Sequence, residues 1–459
     1  MRTLIQNSPL WRRSMLVGLS PSRLLARLTL VAAVGFFGGG WGTAAPAAAQ
    51  EKLEEETVVE TTVETEEAAE PATETPETTE TAEASDPDDS APNEFLKDPV
   101  AAALQKEYER LRVAWVEEMS AMQTALIRFH DGSEEDAAAR IQVYREHQPA
   151  ARQAYSALLD HVVKMLEYNS DGGGFLWEFI ARTIDHRGNV DWYEGLTPAA
   201  KLLAEQTHGP VSPKMHSVYA RSLIVDGDFA TARTELDLAL QTEERLDCDM
   251  RLVSTLSALE EQFVSEQKRL AADPDDLPRV EFQTTRGPVV IELYEDQAPN
   301  TVANFLQLVE DGFYDELPFY QVMDQLFAMT GDPIGDGSGS SGKTIADESD
   351  HADARSPLRG SLVMAKIPVP DDNSGRTYPD TASSQFMILL LPLDLSRGEY
   401  TVFGRVIEGM DAIAYLNRID PSEEKEEGDV SLPPDRVQTA KVLRKRDHDY
   451  KVEYIETSP

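Results

Sequence analysis

The sequence predicts a multidomain chain in which an α-helical, repeat-like region is followed by an all-β barrel, closed on itself and capped by two helices. Three observations carry that prediction. Between Asp98 and Ala272 apolar residues recur at three- and four-residue steps. From Arg279 onward, short alternating runs rich in Val, Ile, Phe and Thr are separated by Gly-containing turns, with only two helical stretches among them. And 459 residues exceed what one core organises, since domains run to roughly 100–200 residues.

Residues 1–49 read as a signal peptide. Arg2, Arg12, Arg13, Arg23 and Arg27 form a cationic lead, "LTLVAAVGFF" is apolar, and "AAPAAAQ" offers small residues for cleavage after Ala49. The alternative is a retained single span, although the apolar run before Gly38 is short for a bilayer and "GGGWG" interrupts it. The expectation is therefore an exported protein of the periplasm or cell envelope, membrane-tethered if the signal is kept. Residues 50–97 form an acidic Glu/Thr/Pro linker. Glu51–Ser90 holds sixteen acidic residues against Lys52 alone, so self-repulsion and the lack of apolar side chains predict a disordered spacer. An acidic tail that binds cations or basic partners is the other reading.

The formal net charge of -40 argues against nucleic acid as a partner, because phosphate-backbone binding needs a basic face. Cys248 is the only cysteine, so intramolecular disulfides are impossible and a cysteine-ligated metal site is not expected. Its acidic neighbours raise the thiol pKa, which suits a half-buried helix residue better than a nucleophile. No metal and no cofactor are assigned.

Residues 98–272 are read as an α-helical domain. Leu104, Tyr108, Leu111, Trp115, Met119, Met122 and Ile127 share one helical stripe. A second helix is expected from about Glu134 to Tyr168, broken near Pro149 and stopped by "NSDGGG". In "SVYARSLIVDGDFATARTELDLAL" Tyr219, Ala220, Leu223, Gly227, Phe229, Ala232, Leu236 and Ala239 meet the demands of a packed helical hairpin, and together they resemble one tetratricopeptide repeat. Ile180, Ala181, Ile184, Gly188, Val190 and Ala200 keep much of that spacing upstream, with Tyr193 where a small residue belongs. Such repeats imply a concave face for a protein partner; with fewer than three copies, a bundle that simply packs is an equal reading.

The segment 279–446 is read as the barrel. "VEFQTTRGPVVIELY" predicts a β-hairpin turning at Arg286-Gly287, and "APNTVANFLQLVEDGFY" a helix with Asn300 as N-cap and Gly312 as stop. Strands follow at "FYQVM", "LFAMTG", "GSLVMAK", "SSQFMILLL" and "YTVFGRV", then a helix near "GMDAIAYLNRI" and a closing strand "VQTAKVLRKR" after a charged insertion. Residues 447–459 are left as a C-terminal tail.

The ordered texts "GPVVIELYEDQAPNTVANFLQLVEDGFYD", "TGDPIGDGSGSSG", "DESD", "GSLVMAK", "SSQFMILL" and "YTVFGRVIEGMDAI" resemble the cyclophilin family of peptidyl-prolyl cis-trans isomerases. The resemblance implies an eight-stranded antiparallel barrel with a helix at each end. It also implies action on X-Pro bonds of proline-containing peptides or unfolded client proteins. Rotation about such a bond faces a barrier of roughly 18–20 kcal/mol and takes tens to hundreds of seconds unaided. Lowering it requires a dry pocket for the prolyl ring, hydrogen bonds to one flank of the peptide, and a donor aimed at the prolyl nitrogen.

Carried across by motif, the pocket is Leu326, Phe327, Met387 and Leu393 with Tyr400 on its rim, while Gln385 and the backbone of Ala365 meet the peptide. Tyr320, Met329 and Lys366 complete the peptide-binding set. Departures from the family gather at this site. The arginine of its Phe-His-Arg strand is Gln321, its glutamine partner is Met329, the asparagine after "MA" is Lys366, and the tryptophan before Leu393 is Pro392. Losing one transition-state donor costs about 100- to 1000-fold in rate, and a charge-assisted hydrogen bond is roughly twice as strong as a neutral one. A slow isomerase and a catalytically silent peptide-binding scaffold therefore both remain open. Lys366 or Arg376 reaching into the groove would rescue the charge; a surface role for both is the other reading.

Overall fold

The computed structural model describes residues 98–131, 137–171, 173–206, 214–241, 246–350, 353–369, 376–395, 398–421 and 434–455. The expected signal peptide, the acidic linker and the charged insertion lie outside them. The helical region consists of α1 (Pro99–Asp131), α2 (Ala137–Tyr168), α3 (Gly174–Asn189), α4 (Thr197–Glu205), α5 (Met215–Asp226), α6 (Phe229–Ala239) and α7 (Asp247–Leu270).

The apolar stripe of α1 meets α2, with Trp115 and Tyr155 5.6 Å apart, and His161 of α2 bonds the Leu104 carbonyl at 2.8 Å. Ile127 lies beyond this seam and is exposed. Contrary to the expected break, α2 runs unbroken through Pro149. A proline at this position forfeits one backbone hydrogen bond, and tertiary contacts offset it. The Pro149 ring sits where a Gly287 side chain would begin, 3.0 Å from that ideal Cβ, so the helix is seated on the first hairpin of the barrel.

The hairpins α3–α4 and α5–α6 bury the residues the spacing singled out, including Ala200, Ala220, Ala232 and Ala239 at their contacts. Gly227 ends α5 in the left-handed conformation (φ 88°), where a side chain would strike the Phe263 ring at 2.4 Å. Gly188 does not play the matching part. It lies inside α3 against Val218, and Asp191 takes the left-handed turn (φ 55°) instead. Tyr193 does not crowd its small-residue position: its ring is fully buried and its hydroxyl donates to Asp191 Oδ1 at 2.7 Å.

The barrel follows as β1 (Arg279–Thr284), β2 (Gly287–Leu293), α8 (Pro299–Glu310), β3 (Gln321–Met323), β4 (Phe327–Thr330), β5 (Ser361–Met364), β6 (Phe386–Leu389), β7 (Val402–Glu408), α9 (Met410–Ala414) and β8 (Val437–Arg444). These eight strands form one sheet in the order β3-β4-β6-β5-β7-β2-β1-β8, with every pairing antiparallel. Its two edges meet: Pro318 bridges Arg436, Phe319 N–H donates to Asp435 O at 2.8 Å, and Val437 N–H donates to Leu317 O at 2.9 Å. Side chains alternate across the wall. Ala328, Leu362, Phe386, Ile388 and Phe403 point to an interior shared with α8 and α9, while their neighbours form a second cluster outside.

Asn300 is not the N-cap of α8. The Glu348 carboxylate accepts the N–H groups of Asn300 (2.9 Å) and Thr301 (2.7 Å), so a loop carboxylate does what a local cap was expected to do. The Asn300 amide instead exchanges two hydrogen bonds with the backbone of Glu453, tying the C-terminal segment to the barrel.

Candidate functional site

The outer cluster is built on a row of residues set by strand register. Gln321 lies opposite Met329, Met329 opposite Met387, Met387 opposite Val363, and Val363 opposite Val402. Around this row gather Tyr320, Phe327 and Leu393, with Leu326, Ala365 and Tyr400 half-buried at its edge. The eight apolar or aromatic residues assigned from sequence thus fall in one cluster, separate from the barrel interior. Met387 is its floor at 1% exposure, and the Phe327 ring is buried beside it. Gln321 stands half-buried at the end of the row.

Polar groups frame the patch. The Tyr320 hydroxyl donates to Gln385 Oε1 at 2.6 Å, and burial pushes its pKa up, so it stays a neutral donor. Gln385 Nε2 donates to the carbonyls of Gly337 (3.1 Å) and Gly339 (2.5 Å). Both ends of this amide are therefore engaged in holding the loop 331–345, where the sequence had it free for a peptide. The same loop is strapped from within by the buried Asp332 carboxylate, which accepts the N–H groups of Ile334, Asp336 and Gly337 at 2.7, 3.1 and 2.5 Å. At its start Gly331 has φ 90°, and a Cβ there would lie 2.2 Å from Ser384 O, so only glycine fits.

Ala365 N–H donates to Gln385 O at 3.0 Å, which leaves the carbonyl of Ala365 as the group able to pair with a substrate strand. Lys366 neither enters the groove nor lies on the surface. Its ammonium is buried, 2.5 Å from Asp347 Oδ2 and 2.8 Å from Glu399 O. An acidic partner 19 residues earlier in the chain decides its direction, a contact no local pattern could reveal. Burial, followed by Glu399, pushes the rim hydroxyl of Tyr400 up as well.

Met323, Val363, Leu389 and Val402 belong to the cluster but were not singled out from sequence. All four stand two residues from an assigned neighbour, so the period-2 alternation contained the signal. Leu270 and Leu277, from the end of α7 and the segment after it, also join the cluster. They are distant in sequence and carry no motif.

A family model described as "Cyclophilin type peptidyl-prolyl cis-trans isomerase/CLD" matches residues 279–442. The fission-yeast (Schizosaccharomyces pombe) peptidyl-prolyl cis-trans isomerase ppi1 is 37% identical over 146 residues, 31% of this chain and 87% of that protein. Mouse (Mus musculus) peptidyl-prolyl cis-trans isomerase-like 1 is 34% identical over 170 residues, 36% of this chain and 96% of that protein. A crystal structure of a Cryptosporidium parvum cyclophilin-type isomerase is similar at 25% identity and a TM-score of 0.31, covering 37% of this chain and 99% of that one. The match spans 87% of the yeast protein and 96% of the mouse protein. The chain belongs, through its C-terminal barrel, to the cyclophilin-type peptidyl-prolyl cis-trans isomerase family.

Proposed function

We propose that this chain is an exported cyclophilin-type isomerase acting on X-Pro bonds of extended or unfolded proteins outside the cytoplasm, with a reduced rate because Gln321 replaces the family's arginine. The observation that carries this reading is the outer-face cluster: Phe327, Met329, Met387 and Leu393 form one apolar patch, with the Gln321 amide at the end of its central row. A prolyl ring on that patch leaves water, and the neutral amide supplies one hydrogen bond toward the prolyl nitrogen as amide resonance breaks. The spent amide of Gln385 favours a second reading, a silent proline-peptide-binding scaffold.

Rate separates the two. In the full chain, Gln321→Arg is expected to accelerate isomerisation of a short Xaa-Pro peptide by about 100-fold over wild type, with wild type itself above the uncatalysed rate. A wild type indistinguishable from the uncatalysed reaction, beside a fast arginine variant, makes the scaffold reading the right one.

Export rests on the arginine-rich lead and the apolar run before Gly38. The mature chain is expected to start near Gln50, and an intact Met1 on protein recovered from the cell envelope would mean a retained tether. The helical region is read as tetratricopeptide-like and as a holder of clients, on the strength of its two hairpins. A photoreactive unfolded client that cross-links to the barrel alone would remove that role.

A further inference from the structure

The hairpin that carries the site is short, with three residues in β3 and four in β4, and its turn is closed from within by one backbone hydrogen bond, Leu326 N–H to Met323 O at 3.2 Å. Gln325, at the tip, adopts φ 55°, a conformation an unbranched L side chain seldom takes without outside contacts to hold it. Both backbone groups of Gln325 go to the helical region. Its N–H donates to Asp191 Oδ2 at 2.9 Å, and its carbonyl accepts from Arg251 Nη2 at 2.8 Å.

Asp191 is fully buried, and its other partners explain how a carboxylate is held there. Arg418 Nη2 of the barrel donates to Oδ2 at 3.0 Å and Tyr193 donates to Oδ1 at 2.7 Å. The Tyr193 hydroxyl accepts from Arg221 Nη1 at 3.2 Å, and Arg221 is bound in turn to Ser217 and to Asp249 of α7. A continuous buried polar chain therefore leads from α5 and α7 to the tip of the hairpin. Arg418 Nε also grips Asp324 at 2.5 Å, one residue before that tip. Buried charges of this kind are costly to leave unpaired, and here each carboxylate meets a cation or a hydroxyl while Arg221 Nε and Arg251 Nη1 stay without a partner, so the remaining hydrogen bonds hold the chain together.

We propose that Asp191 and Arg251 are positioning residues for the peptide groove. The helical region fixes the turn at Gln325 and thereby the placement of Gln321 on one side of it and Leu326–Phe327 on the other. The inference rests on the groove reading given above. It makes the helical region a working part of the site, where a tethered module would leave the groove unaffected.

The test uses the full chain with Asp191→Asn and, separately, Arg251→Met and Arg251→Lys. Amide hydrogen exchange at Met323–Phe327 is compared with that of Val289–Ile291 in β2, and Xaa-Pro peptide affinity is measured alongside the isomerisation rate. The expected result is exchange at least tenfold faster in the hairpin of Asp191→Asn and Arg251→Met, unchanged exchange in β2, and about tenfold weaker peptide binding. Arg251→Lys, which keeps a cationic donor to the Gln325 carbonyl, is expected to recover most of both losses. Unchanged hairpin exchange, an increase spread evenly over the barrel, or a loosened hairpin with undiminished peptide binding overturns the proposal. If Asp191→Asn does not fold, the two Arg251 variants carry the test. Should wild type neither bind nor turn over the peptide, the isomerase reading falls, and the exchange comparison still decides whether the turn is held by these two residues.

Discussion

Glu194 of the helical region and Arg359 of the barrel are joined by two hydrogen bonds, Nε to Oε1 at 2.6 Å and Nη2 to Oε2 at 3.0 Å. The guanidinium is buried and also donates to Leu390 O, while part of the carboxylate reaches solvent. Burial alone would raise the Glu194 carboxyl, but the Arg359 charge and hydrogen bonds bring it below its ordinary value. A depressed carboxylate contributes stability above its unfolded pKa of about 4.3 and loses it as pH falls through the folded value. Denaturant midpoints followed from about pH 6 down to about pH 2 are therefore expected to fall less steeply in Glu194→Gln than in wild type. Parallel curves would show that this pair does not contribute to acid unfolding.

Met387 is the most deeply buried side chain but one of the row Gln321–Met329–Met387–Val363, in a place where a cavity cannot collapse easily because strands flank it on both sides. Met387→Ala is expected to cost about 2–5 kcal/mol in chemical denaturation and to weaken Xaa-Pro peptide binding. Met387→Leu, which keeps volume, is expected to stay within about 1.5 kcal/mol of wild type. An alanine variant that binds peptide as wild type does would place the peptide elsewhere.

Lys366→Met strips the half-buried Asp347 of its cation; breaking a fully buried pair costs about 3–5 kcal/mol, and the loss here is expected to fall below that because the carboxylate reaches solvent. Because the ammonium is committed to Asp347 and Glu399, peptide affinity is expected to be unaffected. A large loss of affinity at preserved stability would return Lys366 to the groove.

His448 stacks on Tyr450 with centroids 4.3 Å apart, and its Nε2 is 2.5 Å from Glu295 Oε1. The hydrogen bond to Glu295 raises its pKa, assisted by the Asp449 carbonyl and opposed by desolvation and the nearby Arg446. A raised histidine contributes fully below its unfolded pKa of about 6.5, and the contribution fades as pH rises through the folded value. Amide exchange at Glu453, whose N–H donates to Asn300 Oδ1, corrected for intrinsic rate, is expected to show better protection at about pH 6 than at about pH 8, and His448→Ala is expected to abolish the difference.

What was legible in the sequence follows from how local each signal is. Helical stripes, strand alternation and the Gly turns are short-range, and the fold class and the strand positions were read from them, whereas the contents of the apolar cluster came from the resemblance to the cyclophilin family. The errors share one cause. Pro149 and Asn300 were assigned by their neighbours in the chain, Gln385 and Lys366 by the family resemblance, and each is governed by a partner far away: Gly287, Glu348 with Glu453, the carbonyls of Gly337 and Gly339, and Asp347. Asp191 escaped notice for the same reason, since nothing near it in sequence foretells Gln325.

Leu391, two residues past β6, is fully buried and belongs to the hydrophobic core of the helices, not that of the barrel. A ribosome makes the helices first, and the side chain that completes their core emerges more than a hundred residues after Leu270. The helical half is therefore released with an apolar socket still open, available to bind other hydrophobic material until translation passes β6. Production of this protein should consequently be sensitive to nascent-chain chaperones and to elongation rate over that interval, a vulnerability that belongs to the order of synthesis and is invisible in the finished molecule.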